Sequence, residues 1–134
     1  IWFKQVIYEP GARDNHEKSA LFAEHSLAQM DWPSTFREEV STIIRESSEY
    51  VVTENSTAQL LHDLAFVTVG RRREYWQMVS LITAEFASEQ AYAQWRIPWL
   101  QEQMTPPVFY SGLLEDQLGM RARENMEREL RRLQ

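Results

Sequence analysis

An all-α fold follows from three features of this 134-residue sequence. Apolar residues recur at helical spacing in one segment after another, and the breaks between segments are rich in Pro, Gly, Ser and Thr. Only one stretch, AFVTV, is β-branched enough to compete as a strand, and it has no evident partner strand. The expectation is about five to seven helices in a single domain over residues 1–134. Ile1, Trp2, Phe3, Leu61, Leu64, Phe66 and Leu130 are expected to share its core.

Taken in order, residues 1–8 read as the end of a buried helix or a short apolar segment, closed by Glu9, Pro10 and Gly11. Asp14 with Glu17 three residues on has the form of a capping box, and Ala20, Leu21, Ala23, Leu27 and Met30 continue at helical spacing to Asp31. Thr35 and Glu38 repeat the pattern ahead of Phe36, Val40, Ile43, Ile44 and Ser47. TENSTAQ reads as a turn, and LLHDLAFVTVG as a buried helix closed by Gly70. Tyr75, Met78, Val79, Ile82 and Phe86 mark the next helix. Tyr92, Trp95, Trp99 and Leu100 mark another, which Pro98 should bend. After the break TPPVFYSG, the residues Leu114, Leu118, Ala122, Met126, Leu130 and Leu133 form a last stripe.

Composition narrows the function classes. The net charge of −6 and the pI of about 5.1 offer no general attraction to nucleic acid or to an anionic membrane surface. The Arg71, Arg72, Arg73 run and the Arg128, Arg131, Arg132 cluster are interleaved with Glu74, Glu127 and Glu129, as on a solvated helix face. With no cysteine, disulfides and thiolate metal sites are excluded, and an intracellular setting is expected, cytoplasm and organelle matrix being equally compatible. No apolar run suffices for membrane insertion. The chain starts at Ile1 inside an apolar segment, so an upstream segment is expected to be missing.

Local motifs carry little chemistry. His62 and Asp63 spell a His-Asp pair, but helix neighbours point about 100° apart and a metal needs ligands from other elements. His16 and His25 form no i, i+4 pair with a second ligand, so structural or surface roles are expected for all three histidines. The glycines at 11, 70, 112 and 119 build neither a phosphate loop nor a nucleophile elbow. The carboxylates are scattered, and spacing selects no acid/base pair. The five Trp point to core or interface, with Trp32 and Trp99 as exposed contact candidates.

Five segments in order take the reading further: IWFKQVIYEP, DNHEKSA, LLHDLAFVTVG, YWQMVSLITAEF and ARENMEREL. Together they resemble the C-terminal two-thirds of a group of HD-domain metal-dependent phosphohydrolases. The resemblance implies an HD-domain-like helical bundle, incomplete at its N-terminus. It also implies that the chemistry is gone. The family's His-Asp metal pair falls on Lys4 and Gln5, and the second Asp of its later Asp-x-Asp pattern falls on Ala65, with Asp63 matching the first. A family His falls on Tyr50, the Glu beside Asn15 becomes His16, and a further ligand would precede Ile1. Lys offers only donors and Gln is a weak neutral ligand, so no metal, other cofactor or catalytic residue is expected at this vestigial site.

The resemblance therefore implies a pseudoenzyme that serves as a structural or interaction subunit, with other proteins or a larger complex as partners. Two alternatives accompany it. One is a phosphohydrolase of altered or residual activity on a nucleotide-like phosphate ester. The other is a pseudoenzyme that binds a phosphorylated small molecule through Lys4 or the Arg71, Arg72, Arg73 run. If Lys4 is sheltered, it should pair with Asp63 or another acidic group, and Lys4, Gln5, Asp63 and Ala65 should lie together.

Overall fold

A computed structural model of the chain describes residues 2–105 and 107–134, and these contain helices and no strand. The order is α1 (Asn15–Gln29), α2 (Ser34–Glu46), α3 (Ser56–Phe66), a 3-10 turn (Val67–Gly70), α4 (Arg72–Thr83) and α5 (Glu89–Gln103). A short α6 (Gly112–Leu114) runs through a π-helical turn (Glu115–Gly119) into α7 (Met120–Leu133). AFVTV is helical, ending α3 and continuing as the 3-10 turn. The chain forms two compact units, Ile1–His62 and Asp63–Gln134, and the division falls within α3.

In the first unit α1 packs on α2 around Ala20, Ala23 and Ile44, with Phe3 and Val40 against them. Alanines on the facing side leave room for close helix approach. The end of α1 is a Schellman turn: Asp31 N–H donates to Ala28 O (3.1 Å) and Trp32 N–H to Leu27 O (3.1 Å). Asp31 takes the left-handed position at φ 58°, which a short polar side chain tolerates better than most. Asn55 starts α3 by accepting from Thr57 N–H and Ala58 N–H.

The second unit is built around the 3-10 turn, which packs against α4 and α7. Gly70 allows this approach, because a Cβ there would stand 2.6 Å from Leu118 Cβ. Phe66 is buried and stacks on Trp99 at 6.1 Å between ring centroids. At the centre lies an ion pair. Arg96 on α5 donates through Nε and an Nη to the two oxygens of Glu129 on α7 (3.0 and 3.1 Å), and the Tyr75 and Tyr92 hydroxyls donate to the same carboxylate. All four residues are buried. Burial pushes both phenols above their ordinary pKa, with the Arg96 charge opposing and Glu129 reinforcing the shift.

Several expectations are corrected. Residues 2–7 form turns and bends, not a helix end, and Trp2 is 92 % exposed. Leu64 is also exposed, at 52 %, because it lies on the solvent side of α3. Phe3, Leu61 and Leu130 are half-buried, whereas Phe66 is buried as expected; Ile1 lies outside the described residues. Trp99 is buried at 6 % exposure, under the Arg96 guanidinium at 4.0 Å, so it is no surface contact. Phe86 lies beyond α4, where it packs on Trp95 and Tyr92. Neither capping box forms: the Asp14 side chain makes no cap bond, and Pro33 rather than Thr35 holds the N-cap of α2. Proline there presets the backbone angle for helix entry.

Candidate functional site

Two of the resembling segments meet in the first unit. DNHEKSA opens α1, and its polar side chains hold FKQVIYEP against the helix. Asn15 accepts from Glu9 N–H (2.9 Å) and donates to Glu9 O and Ala12 O, while Ser19 Oγ both accepts from Ile7 N–H and donates to Ile7 O (3.1 Å each). Asn15 and Ser19 are buried. A segment without regular structure needs its backbone groups satisfied by side chains, and these two supply that.

The same docking brings Lys4 onto His16. Lys4 Nζ lies 3.3 Å from His16 Nε2, and His16 Nε2 lies 3.8 Å from a Glu49 carboxylate oxygen. His62, on α3, is buried and close enough to act on His16 electrostatically. Burial lowers the Lys4 pKa, and the Glu49 charge opposes that shift. Burial also lowers the His16 pKa, aided by the Lys4 charge and by the neighbouring His62 and opposed by Glu49. The arrangement favours a neutral His16 that accepts from the Lys4 ammonium through the lone pair a metal would otherwise use.

Glu49 acts on Lys4 through its charge, and the hydrogen-bond partner of the ammonium is His16. Gln5 is exposed. Tyr50 is half-buried, with the Arg13 guanidinium 4.9 Å above its ring. In the second unit, Asp63 is buried and both its carboxylate oxygens accept backbone bonds, from Tyr110 N–H (2.8 Å) and Ser111 N–H (2.7 Å). Glu115 does the same for Val108 and Phe109 N–H (2.9 and 3.0 Å), so two carboxylates pin the loop ahead of α6. Burial raises the Glu115 pKa, but the bonds from Arg123, Phe109 and Val108 outweigh it and hold the carboxyl below its usual value. Ala65 is exposed. Among the described residues no group of three or more His, Cys, Asp or Glu side chains is arranged to hold a metal ion. With the Lys4 ammonium on its Nε2, His16 has no lone pair there to offer a cation.

Sequence reasoning missed Glu49 and His62 as groups that act on His16, and it read Glu129 as a surface charge beside Arg128. No spacing rule links residues 4, 16, 49 and 62, which lie on separate elements. A buried Glu in an otherwise charged helix reads like its exposed neighbours until the facing Arg96 is known.

No family model matches the chain, and comparison with curated proteins and with solved structures likewise returns no match. No helix of the described residues is long and apolar enough to cross a membrane.

The cluster predicts a pH dependence. A folded-state pKa for His16 below the ordinary 6.5 means that the unfolded chain binds the proton more readily. Stability should therefore fall as pH drops through about 6.5 towards the depressed value, and the loss should be complete below it. Glu17 and Glu115, whose pKa values are lowered from 4.5, add their own losses only at more acid pH. Urea midpoints between about pH 7.5 and pH 5 should decrease in the parent chain and decrease less in His16→Gln. Equal slopes in the two proteins would show that His16 is not the group responsible.

Proposed function

We propose that the chain is a non-catalytic homologue of the HD-domain phosphohydrolases, serving as a structural or interaction subunit. The observation that carries this reading is the Lys4 to His16 contact of 3.3 Å. The position that the resemblance gives to the metal-binding His, Lys4, touches the one where His16 replaces a family Glu, and the side chains there are a cation and an imidazole that accepts its hydrogen bond. Each of the two units also keeps buried polar residues in these segments. Asn15, Ser19, Asp63, Asn125 and Glu129, all within the resembling segments, make buried hydrogen bonds that hold backbone or core together. Retained framework with altered ligands is what a scaffold needs and a hydrolase does not.

The test is elemental analysis of the purified chain after incubation with Mn2+, Mg2+ and Zn2+, paired with hydrolysis of nucleoside monophosphates. The expected result is substoichiometric metal and no metal-dependent phosphate release. Stoichiometric divalent metal with turnover abolished by Lys4→Ala would overturn the proposal in favour of a phosphohydrolase of altered mechanism. Saturable binding of a nucleoside monophosphate without turnover, lost in Lys4→Ala, would replace it with a phosphate-binding role.

A further inference from the structure

We propose that the exposed aromatic corner between α1 and α2 docks a cationic segment with an apolar anchor, contributed by a partner protein. This rests on the interaction-subunit reading and assigns it a surface and a partner chemistry. Met30, Trp32 and Phe36 are 63 %, 48 % and 38 % exposed, yet they are not loose. Trp32 and Phe36 stack on each other with centroids 4.7 Å apart and planes at 28°. The Schellman bonds from Asp31 and Trp32 fix the backbone on one side, and the first turn of α2 fixes it on the other. An aromatic pair held by its own backbone, and turned to solvent rather than into the core, has already lost much of the freedom that binding would cost. Such rings are the residue types that anchor interfaces.

The charge around the corner selects the occupant. Residues 1–62 hold five Lys and Arg against ten Asp and Glu, so this unit carries −5 of the chain's −6. Asp31, next to Trp32 in the chain, and Glu38 and Glu39 in the first turns of α2 are exposed, against one cation there, the half-buried Arg37. An anionic lipid surface or a nucleic-acid backbone would be repelled here. A Lys- or Arg-bearing segment would pair with these carboxylates and offer its cation to the Trp32 face while its apolar residue covers Met30 and Phe36.

The experiment uses the whole chain labelled with 5-fluorotryptophan, in which the Trp32 resonance is identified by its absence from a Trp32→Ser, Phe36→Ser double variant. The probe is a synthetic amphipathic Lys/Leu peptide, with a Glu/Leu peptide of the same pattern as control. The Lys/Leu peptide should shift the Trp32 signal saturably, and the double variant, whose charge is unchanged, should bind it at least about tenfold more weakly. Replacing Asp31 by Asn and Glu38 and Glu39 by Gln should weaken binding and flatten its salt dependence. Four outcomes overturn the proposal: no binding, equal affinity in the double variant, equal affinity for the Glu/Leu peptide, or self-association that the double variant abolishes. Metal content and hydrolysis, measured on the same preparation, judge the proposed function separately. An active metalloprotein would sink that reading without altering the peptide result, and a failed peptide result would leave the metal result standing.

Discussion

Glu129→Ala should destabilise the chain by about 3–5 kcal/mol, because it strands the Arg96 guanidinium in a buried position together with two buried phenols. The carboxylate accepts from four donors at once, so its removal leaves each without the bond that offset its loss of water. A paired change tests the origin of the effect. With Arg96→Met added, the stranded charge is gone, and a substantial part of the loss should return despite the cavity. Urea unfolding of the two single variants and the double variant forms the cycle. A Glu129→Ala cost below about 1 kcal/mol would mean that this network does not hold the second unit together.

Phe66→Ala should cost a similar amount, about 3–5 kcal/mol, for a different reason. Phe66 ends α3 and stacks on Trp99, which in turn lies under Arg96. Truncation removes ring burial and leaves a cavity beside a tryptophan that cannot easily collapse into it. Because Trp99 loses its stacking partner, its fluorescence should also respond before global unfolding. Phe66→Leu should retain most of the stability, since it keeps much of the apolar volume. A Phe66→Ala midpoint equal to that of the parent chain would contradict the burial of this residue.

Helix existence and type were readable in one dimension because amphipathic periodicity is local. LLHDLAFVTVG reads as helix despite its β-branched end, and it is helix through Phe66 with a 3-10 turn to Gly70. Boundaries were less legible. Asp14 and Thr35 look like caps, but capping depends on where the backbone actually enters the helix, and Pro33 sets that point for α2. Residues 2–7 are apolar enough to read as helix, yet the segment is tied down at Ile7 by Ser19 and at Glu9 by Asn15, side chains from another element that no local pattern discloses.

Periodicity and composition by themselves determined the all-α class, the segments that form helices, and the exclusion of thiolate chemistry. Only tertiary structure decided that Lys4 and His16 meet, that Asp63 gives both oxygens to backbone N–H groups, and that Glu129 and Trp99 are core residues while Phe36 is not. The physical reason is range. Helix formation depends on residues three and four apart, whereas the fate of a charge depends on which distant donor or acceptor shelters it from water, as Arg96 on α5 does for Glu129 on α7.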